Sequence, residues 1–266
     1  METLFQHWLA ATFINSARYF IISGLAFIPF YLLMQNRFIN EKIQKREASK
    51  KDFLREIKDS IPTMLIFGIN GALILGTPLR NYTQVYQNIS EYGWVYFIIS
   101  VPLALIIHDT YFYWTHKWMH GKKVYKSFHL THHKSTNPSP WASYTFDWKE
   151  GIIQGGIIFI LVFFVPLHTY AVIGFTFTAY ILNVYGHLGY EIAPLWFRKT
   201  FLFKLLASST YHNMHHSKFN GNYGLYFRWW DKLMKTEVKG YEEEYDKIQE
   251  RRILNKNSEL IIDGSI

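Results

Sequence analysis

Nine histidines in short stretches carry the chemistry that this sequence can do. His129, His132 and His133 stand in HLTHH, and His212, His215 and His216 in YHNMHH. Each box is a histidine followed three and four residues later by two more. On a helix those offsets share a face, which aims three imidazoles at one locus. His116 and His120, four apart in WTHKWMH, form a third pair, and His187 in VYGHLGY comes directly after an apolar run. Imidazole ligates iron, copper, nickel and zinc. One metal does not need nine imidazoles, whereas two metals with four or five each do. Zinc sites are usually satisfied by three or four ligands. The ligand number therefore favours a binuclear redox centre, and neutral nitrogen ligands without thiolates suit iron. All nine are candidate metal ligands and, through the metals, candidate catalytic residues. Metal-bound histidines usually donate their second N–H to an acceptor behind them. Asp109, seven residues before His116 and on its face, is one such candidate at the cofactor; Glu191 and Asp231 are others. Asn183, one helical turn before His187, is placed to hold a metal-bound water.

The elements that position these residues are apolar helices. With 266 residues, 49% of them hydrophobic and 19% aromatic, the chain can bury a large core as one domain spanning residues 1–266. A mean hydropathy of −0.04 hides an alternation of membrane-length apolar runs with polar, histidine-rich segments. Leu9–Met34 is long enough to cross a bilayer and reads as a retained anchor, not a cleaved signal peptide. Asn36–Ser60 is abruptly polar, with eight Lys/Arg against five acids, and reads both as a solvated amphipathic helix and as a cytoplasmic loop. Ile61–Leu79 is a second span, softened by Gly68, Gly71 and Gly76. A polar connection follows, whose sequons at Asn81 and Asn88 are read as unglycosylated. Trp94–Ile107 is a third span, and its pattern runs on unbroken through HDTYFYWTHKWMH, so the same helix carries His116 and His120 out of the bilayer. Pro138 and Pro140 prevent one continuous helix after the first box. Gly151–Leu167 and Tyr170–Val184 form a tight apolar hairpin that need not span fully. Counting crossings from an outside N-terminus puts the basic loop, the histidines and the C-terminus on the cytoplasmic side. The expected fold is an all-α integral membrane protein with four to five transmembrane or membrane-embedded helices. A cytoplasmic helical cap holds the di-metal site. The catalytic core covers residues 94–237, and 238–266 is a charged, solvent-exposed tail.

Five segments together resemble the sterol desaturase and fatty acid hydroxylase superfamily of membrane di-iron oxidoreductases: HDTYFYWTHKWMH, HLTHH, GHLGY, YHNMHH and NYGLYFRWWDKLMKTE. The resemblance runs from Trp94 to Glu237, a little over half the protein. Its ligand roles fall on His116, His120, His129, His132, His133, His187, His212, His215 and His216. STNPSPWASYTF is most similar to the C-5 sterol desaturase branch. That branch continues with a histidine and a proline where this chain has Asp147 and Trp148. The resemblance implies two iron ions, dioxygen as co-substrate, an apolar lipid from the bilayer, and electrons from an external cytochrome b5- or ferredoxin-like protein. It implies a location in a bacterial inner membrane or the endoplasmic reticulum and no nucleic-acid partner.

Composition excludes other chemistry. There is no cysteine, hence no disulfide, thiolate nucleophile or cysteine-ligated iron–sulfur cluster. Three rival readings remain: metal-assisted lipid hydrolysis, a bis-histidine haem carrier, and a metal transporter or store. The haem carrier calls for isolated histidines on facing spans, and the transporter for ionisable residues inside the spans. His108, about 80° round the helix and about 12 Å along it from His116, reads as a polar group near the pocket. His7 and His168 read as interfacial bystanders. Tyr111, Tyr113, Trp114, Trp141 and Tyr144 are candidates to line the substrate entrance, and the charged tail a weaker candidate for docking an acidic electron donor.

Overall fold

A computed structural model describes residues 3–46 and 48–262. Helix α1 (Leu4–Phe27) opens on a capping box: the Thr3 hydroxyl accepts from the Gln6 amide and the Gln6 side chain accepts from the Thr3 N–H. It continues as a π-helical segment, Ile28–Leu33. Pro29 has no N–H to continue an α ladder, and its carbonyl instead accepts from Met34, five residues on, at 2.9 Å.

The polar stretch that follows is not the expected amphipathic helix. Turns occupy residues 35–41, and the segment lies against the loop after His187: Ile43 N–H donates to Gly189 and Glu191 N–H to Glu41. Helix α2 (Lys50–Gly76) starts at a second capping box, Ser49 with Asp52, so the basic turn and the second span are one element. Gly68, Gly71 and Gly76 lie directly against Thr12, Ala11 and His7. The glycines that soften this span let the side chains of an antiparallel helix sit directly on its backbone.

A short connection carries strand β1 (Val85–Tyr86), which pairs in parallel with β2 (Leu167–His168). Helix α3 (Gly93–Met119) is continuous through HDTYFYWTHKWM, as its pattern predicts. Its 27 residues are about 40 Å long, and a hydrocarbon core is about 30 Å thick, so its last turns project. The chain then breaks into one-turn pieces, α4 (Tyr125–Phe128) and α5 (Leu130–His133), and a 3-10 turn over Pro140–Tyr144. Helices α6 (Trp148–Phe164) and α7 (Thr169–Gly186) form the hairpin. Asp147, in the place of the branch's histidine, caps α6 through the Lys149 N–H at 3.0 Å. His168 is no bystander: it is 3% exposed, caps α7 through the Tyr170 N–H and donates to the Gln87 carbonyl. The C-terminal region adds α8 (Phe201–Leu205), α9 (Ser209–Lys218), α10 (Trp229–Leu233) and α11 (Tyr241–Ile262).

The fold is mostly helical and membrane-type. Among the described residues three helices are long and apolar enough to cross a membrane: Leu4–Leu33, Lys50–Gly76 and Gly93–Met119. The hairpin helices, of 17 and 18 residues, reach about 26 Å, short of a full crossing. The tail is not a solvated helix. Tyr241, Tyr245 and Ile248 recur on one face of α11 at helical spacing and are buried, the two tyrosines against Phe203 and Tyr211.

Candidate metal centre

The structure gathers all nine histidines into two groups. One holds His116, His120, His129, His133 and His215; the other holds His132, His187, His212 and His216. The donor nitrogens within each group lie within 4.8 Å of one another. All are buried except His120, which is partly so.

The boxes do not aim three rings at one point. In both, the histidines at i and i+4 enter one group and the one at i+3 enters the other: His129 and His133 part from His132, and His212 and His216 part from His215. Consecutive helical residues point about 100° apart, so adjacent histidines diverge and each box straddles two loci. The groups abut, with the rings of His133 and His216 5.0 Å apart and those of His129 and His132 5.1 Å apart.

Inside each group the Nε2 atoms converge. His116 and His129 are 2.9 Å apart, His133 and His215 3.0 Å, and His133 and His120 3.1 Å. In the other group His187 lies 3.1 Å from His212, 3.2 Å from His216 and 3.4 Å from His132. Nitrogens bound to one metal at about 2.1 Å are about 3.0 Å apart in an octahedron and about 3.4 Å apart in a tetrahedron.

The outer nitrogens settle which atom carries the proton. His116 Nδ1 faces the Tyr223 carbonyl at 2.8 Å, His215 Nδ1 the Gly221 carbonyl at 2.7 Å, and His187 Nδ1 the Asn183 carbonyl at 2.8 Å. A carbonyl only accepts, so each Nδ1 donates and each Nε2 turns a lone pair inward. His129 Nδ1 meets the Glu150 carboxylate at 2.7 Å. Lone pairs facing each other at 3 Å repel, and a cation between them removes the conflict; the donor set fits metal ions. Burial pushes the His187 and His215 imidazoles down to about 4, and His132, His133, His212 and His216 well below their usual range, so these rings are neutral near pH 7.

The anticipated orienting acids work one step further out. Asp109 accepts from the N–H groups of Leu225, Tyr226 and Phe227 at 3.0, 2.6 and 3.2 Å rather than from a histidine. Asp231 accepts from the N–H groups of Tyr223 and Gly224 and from the Thr236 hydroxyl. Together they pin the NYGLYF loop, whose Tyr223 carbonyl backs His116. Glu191 anchors the start of α9 through the Thr210 N–H and hydroxyl. Asn183 donates its side-chain amide to the Ser143 carbonyl at 2.8 Å, and it is its main-chain carbonyl that holds His187. His108 stays outside both groups, its Nδ1 3.0 Å from the Tyr226 hydroxyl. Sequence reasoning missed Glu150, whose signal was a carboxylate at the head of an apolar helix. It also missed the backing carbonyls, which no side-chain pattern marks.

The fatty acid hydroxylase profile matches residues 101–236, half of the sequence and the span that contains every one of these histidines. The chain belongs to the fatty acid hydroxylase family. Among its relatives, a Delta(7)-sterol 5(6)-desaturase of Gibberella zeae is 30% identical over 195 residues, 73% of this chain and 56% of that protein. The lathosterol oxidase of Rattus norvegicus is 27% identical over 225 residues, 82% of this chain and 71% of that one. A Delta(7)-sterol 5(6)-desaturase of Schizosaccharomyces pombe is 34% identical over 157 residues, 58% and 49% respectively. The chain thus spans about half the length of the two fungal proteins. These relatives agree with the branch that STNPSPWASYTF resembles. No solved structure matches the chain. Within this family member, the Trp141 to Tyr144 part of that segment packs with Tyr19 and Tyr180 against α1 and α7.

Proposed function

We propose that this protein is an oxygen-dependent oxidoreductase that desaturates or hydroxylates an unactivated C–H position of an apolar lipid, sterol-like or long-chain acyl. One observation carries the reading: two abutting histidine groups whose Nε2 lone pairs converge at metal-ligand separations. His116, His120, His129, His133 and His215 would hold one iron, and His132, His187, His212 and His216 the other. Two irons bound there supply activation of dioxygen for removal of hydrogen from carbon. The rest is done by the chain itself. Main-chain carbonyls and Glu150 fix the rings and burial excludes water; the length of α3 supports a site at the bilayer surface, reached sideways by a lipid. Removal of a second hydrogen from the lipid gives a double bond; delivery of a hydroxyl gives an alcohol. The sequence has no flavin, haem or iron–sulfur motif, so two electrons come from an external carrier of the cytochrome b5 or ferredoxin kind. The excess of basic residues between α1 and α2 supports a site on the cytoplasmic side, in a bacterial inner membrane or the endoplasmic reticulum.

The test is metal content and Mössbauer spectroscopy on protein expressed with iron-57 and extracted in mild detergent, with lipid profiling of the expressing cells. The reading requires about two irons per chain, lost together in His132→Ala or His215→Ala, and a lipid product that needs oxygen. One zinc or turnover without oxygen and reductant would replace it with metal-assisted hydrolysis, and no metal under iron-replete expression would replace it with a non-redox role.

A further inference from the structure

Eight of the nine histidines are buried, and His120, at the end of α3, is the one that reaches the surface. Two aromatic rings from other segments close in beside it. The Tyr125 ring of α4 lies 5.4 Å from that of His120 and 5.8 Å from that of His133. The Phe219 ring, directly after α9, lies 5.2 Å from that of His133, and the Phe219 main chain hydrogen-bonds His120. Tyr125 is partly exposed and Phe219 is 36% exposed. Phe219 also holds a left-handed backbone, φ 66°, at a helix end where glycine is usual. A bulky residue kept in that conformation is strained. What the strain secures is an accessible ring laid over the five-histidine group.

The same segments carry unopposed positive charge. Lys122 and Lys123 follow α3, Lys126 lies on α4, Lys134 follows α5 and Lys218 ends α9, and all five are exposed. None makes an ion pair among the described residues. The chain holds no acid between Asp109 and Asp147, nor between Glu191 and Asp231. Lys117 and Lys149 differ, since they stand over Tyr113 and Trp114 and over Phe128 and Trp148, as side chains do at a bilayer boundary. The C-terminal tail offers no such surface: α11 opens with Glu242, Glu243 and Glu244, and Arg198 is already paired with Glu242 and Asp246.

We propose that this face, centred on His120 and Phe219 and rimmed by the five free lysines, docks an acidic one-electron carrier protein, so that electrons enter at the five-histidine group. The inference rests on the reading that reducing equivalents come from an external carrier. Electron transfer falls off steeply with distance, so the carrier must meet the cage where it is least covered, and that is His120. Aromatic residues at the middle and charge at the edge are the usual anatomy of a specific protein interface, and the sign of the charge selects an acidic partner. Each encounter oxidises the carrier by one electron and reduces the metal site by one. Two encounters supply the pair that, with two electrons from the lipid and protons from solvent, reduces dioxygen. Anionic lipid headgroups would be drawn to the same lysines, but they have no use for a strained aromatic ring over a metal ligand.

The test uses the full chain, iron-loaded, in phosphatidylcholine nanodiscs, with two acidic probes: the soluble domain of cytochrome b5 and a plant-type ferredoxin. Equilibrium binding of the oxidised probe and anaerobic stopped-flow oxidation of the reduced probe are both read. Wild type should bind at least one probe, more weakly as salt rises. In the triple variant Lys122→Gln, Lys123→Gln, Lys126→Gln, binding and probe oxidation should fall by about tenfold or more at unchanged iron content. Reduction by the methyl viologen radical, a small cation, should not slow. Phe219→Gly, which suits the left-handed turn, should weaken binding as well. Should the triple variant fold poorly, Lys134→Gln with Lys218→Gln tests the other edge of the same rim. No salt-dependent binding of either probe, or binding that survives the lysine variants or Phe219→Gly, overturns the surface. Unchanged probe binding together with lost thermal stabilisation by phosphatidylserine would assign the lysines to the bilayer and overturn it equally. Failure of the docking surface leaves iron content untouched. Failure of the oxidoreductase reading shows in iron content, while probe binding, which needs no electron transfer, still reads the surface.

Discussion

His129 is the one histidine of the nine that meets a carboxylate among the described residues; His116, His187 and His215 lean on neutral carbonyls. A negative partner makes an imidazole the stronger donor. Glu150→Ala is therefore expected to weaken metal retention by about 10–100-fold, read as iron lost against chelator concentration; unchanged retention would refute the role. Protonation gives a second handle. Burial holds the His187 and His215 imidazoles down to about 4 in the fold, against about 6.5 in an unfolded chain. The unfolded state thus binds more protons below about 6.5, and the metal-free protein should lose stability as pH falls from about 6.5 towards 4. Thermal unfolding in detergent across that window checks it, and a flat profile would contradict it. The identity of the nine residues was legible because clustered imidazoles have few other uses. Their sorting was not, because sharing a helical face was read as sharing a target, while i+3 and i+4 diverge enough to serve two. The backing carbonyls of Tyr223, Gly221 and Asn183 were invisible for a different reason: main-chain groups carry no letter.

The helices that carry the histidines depend on anchors that are not histidines. Asp109 satisfies three buried N–H groups of the loop after Gly224, so Asp109→Ala strands all three. The expected destabilisation is about 3 kcal/mol or more, with His116 loosened through Tyr223; thermal unfolding reads the first and iron content the second. Asp147→Ala removes only a helix cap and should cost about 1 kcal/mol without loss of metal. The contrast tests whether the position occupied by histidine in the sterol branch has become purely structural here. Spans were readable from hydropathy and the run of α3 from the absence of a breaker. The start of α2 was misplaced because charge was taken to end a membrane helix, though the Ser49–Asp52 box marked the true beginning.

Across the whole molecule, the C-terminal helix belongs to the core. Arg228, fully buried, bridges Glu237 and Glu242 and lies 4.4 Å over the Tyr241 ring. Removing residues 238–266 takes away Tyr241, Tyr245 and Ile248, each worth about 1.5–3 kcal/mol of burial, and leaves a buried cation short of a partner. The shortened chain should fail to accumulate as a monodisperse, iron-containing species on size exclusion. Charge density hid this from the sequence, because three well-spaced apolar residues are enough to dock a helix that is otherwise acidic and basic. The interleaving of the boxes has one more result. Short helices α5 and α9 each lend ligands to both groups, so seating one ion stiffens half the cage of the other. Uptake should then be cooperative, with a Hill coefficient above one in an iron titration followed by absorbance. Chains carrying a single ion should be scarce at half saturation, so that a cell short of iron would hold a mixture of full and empty protein.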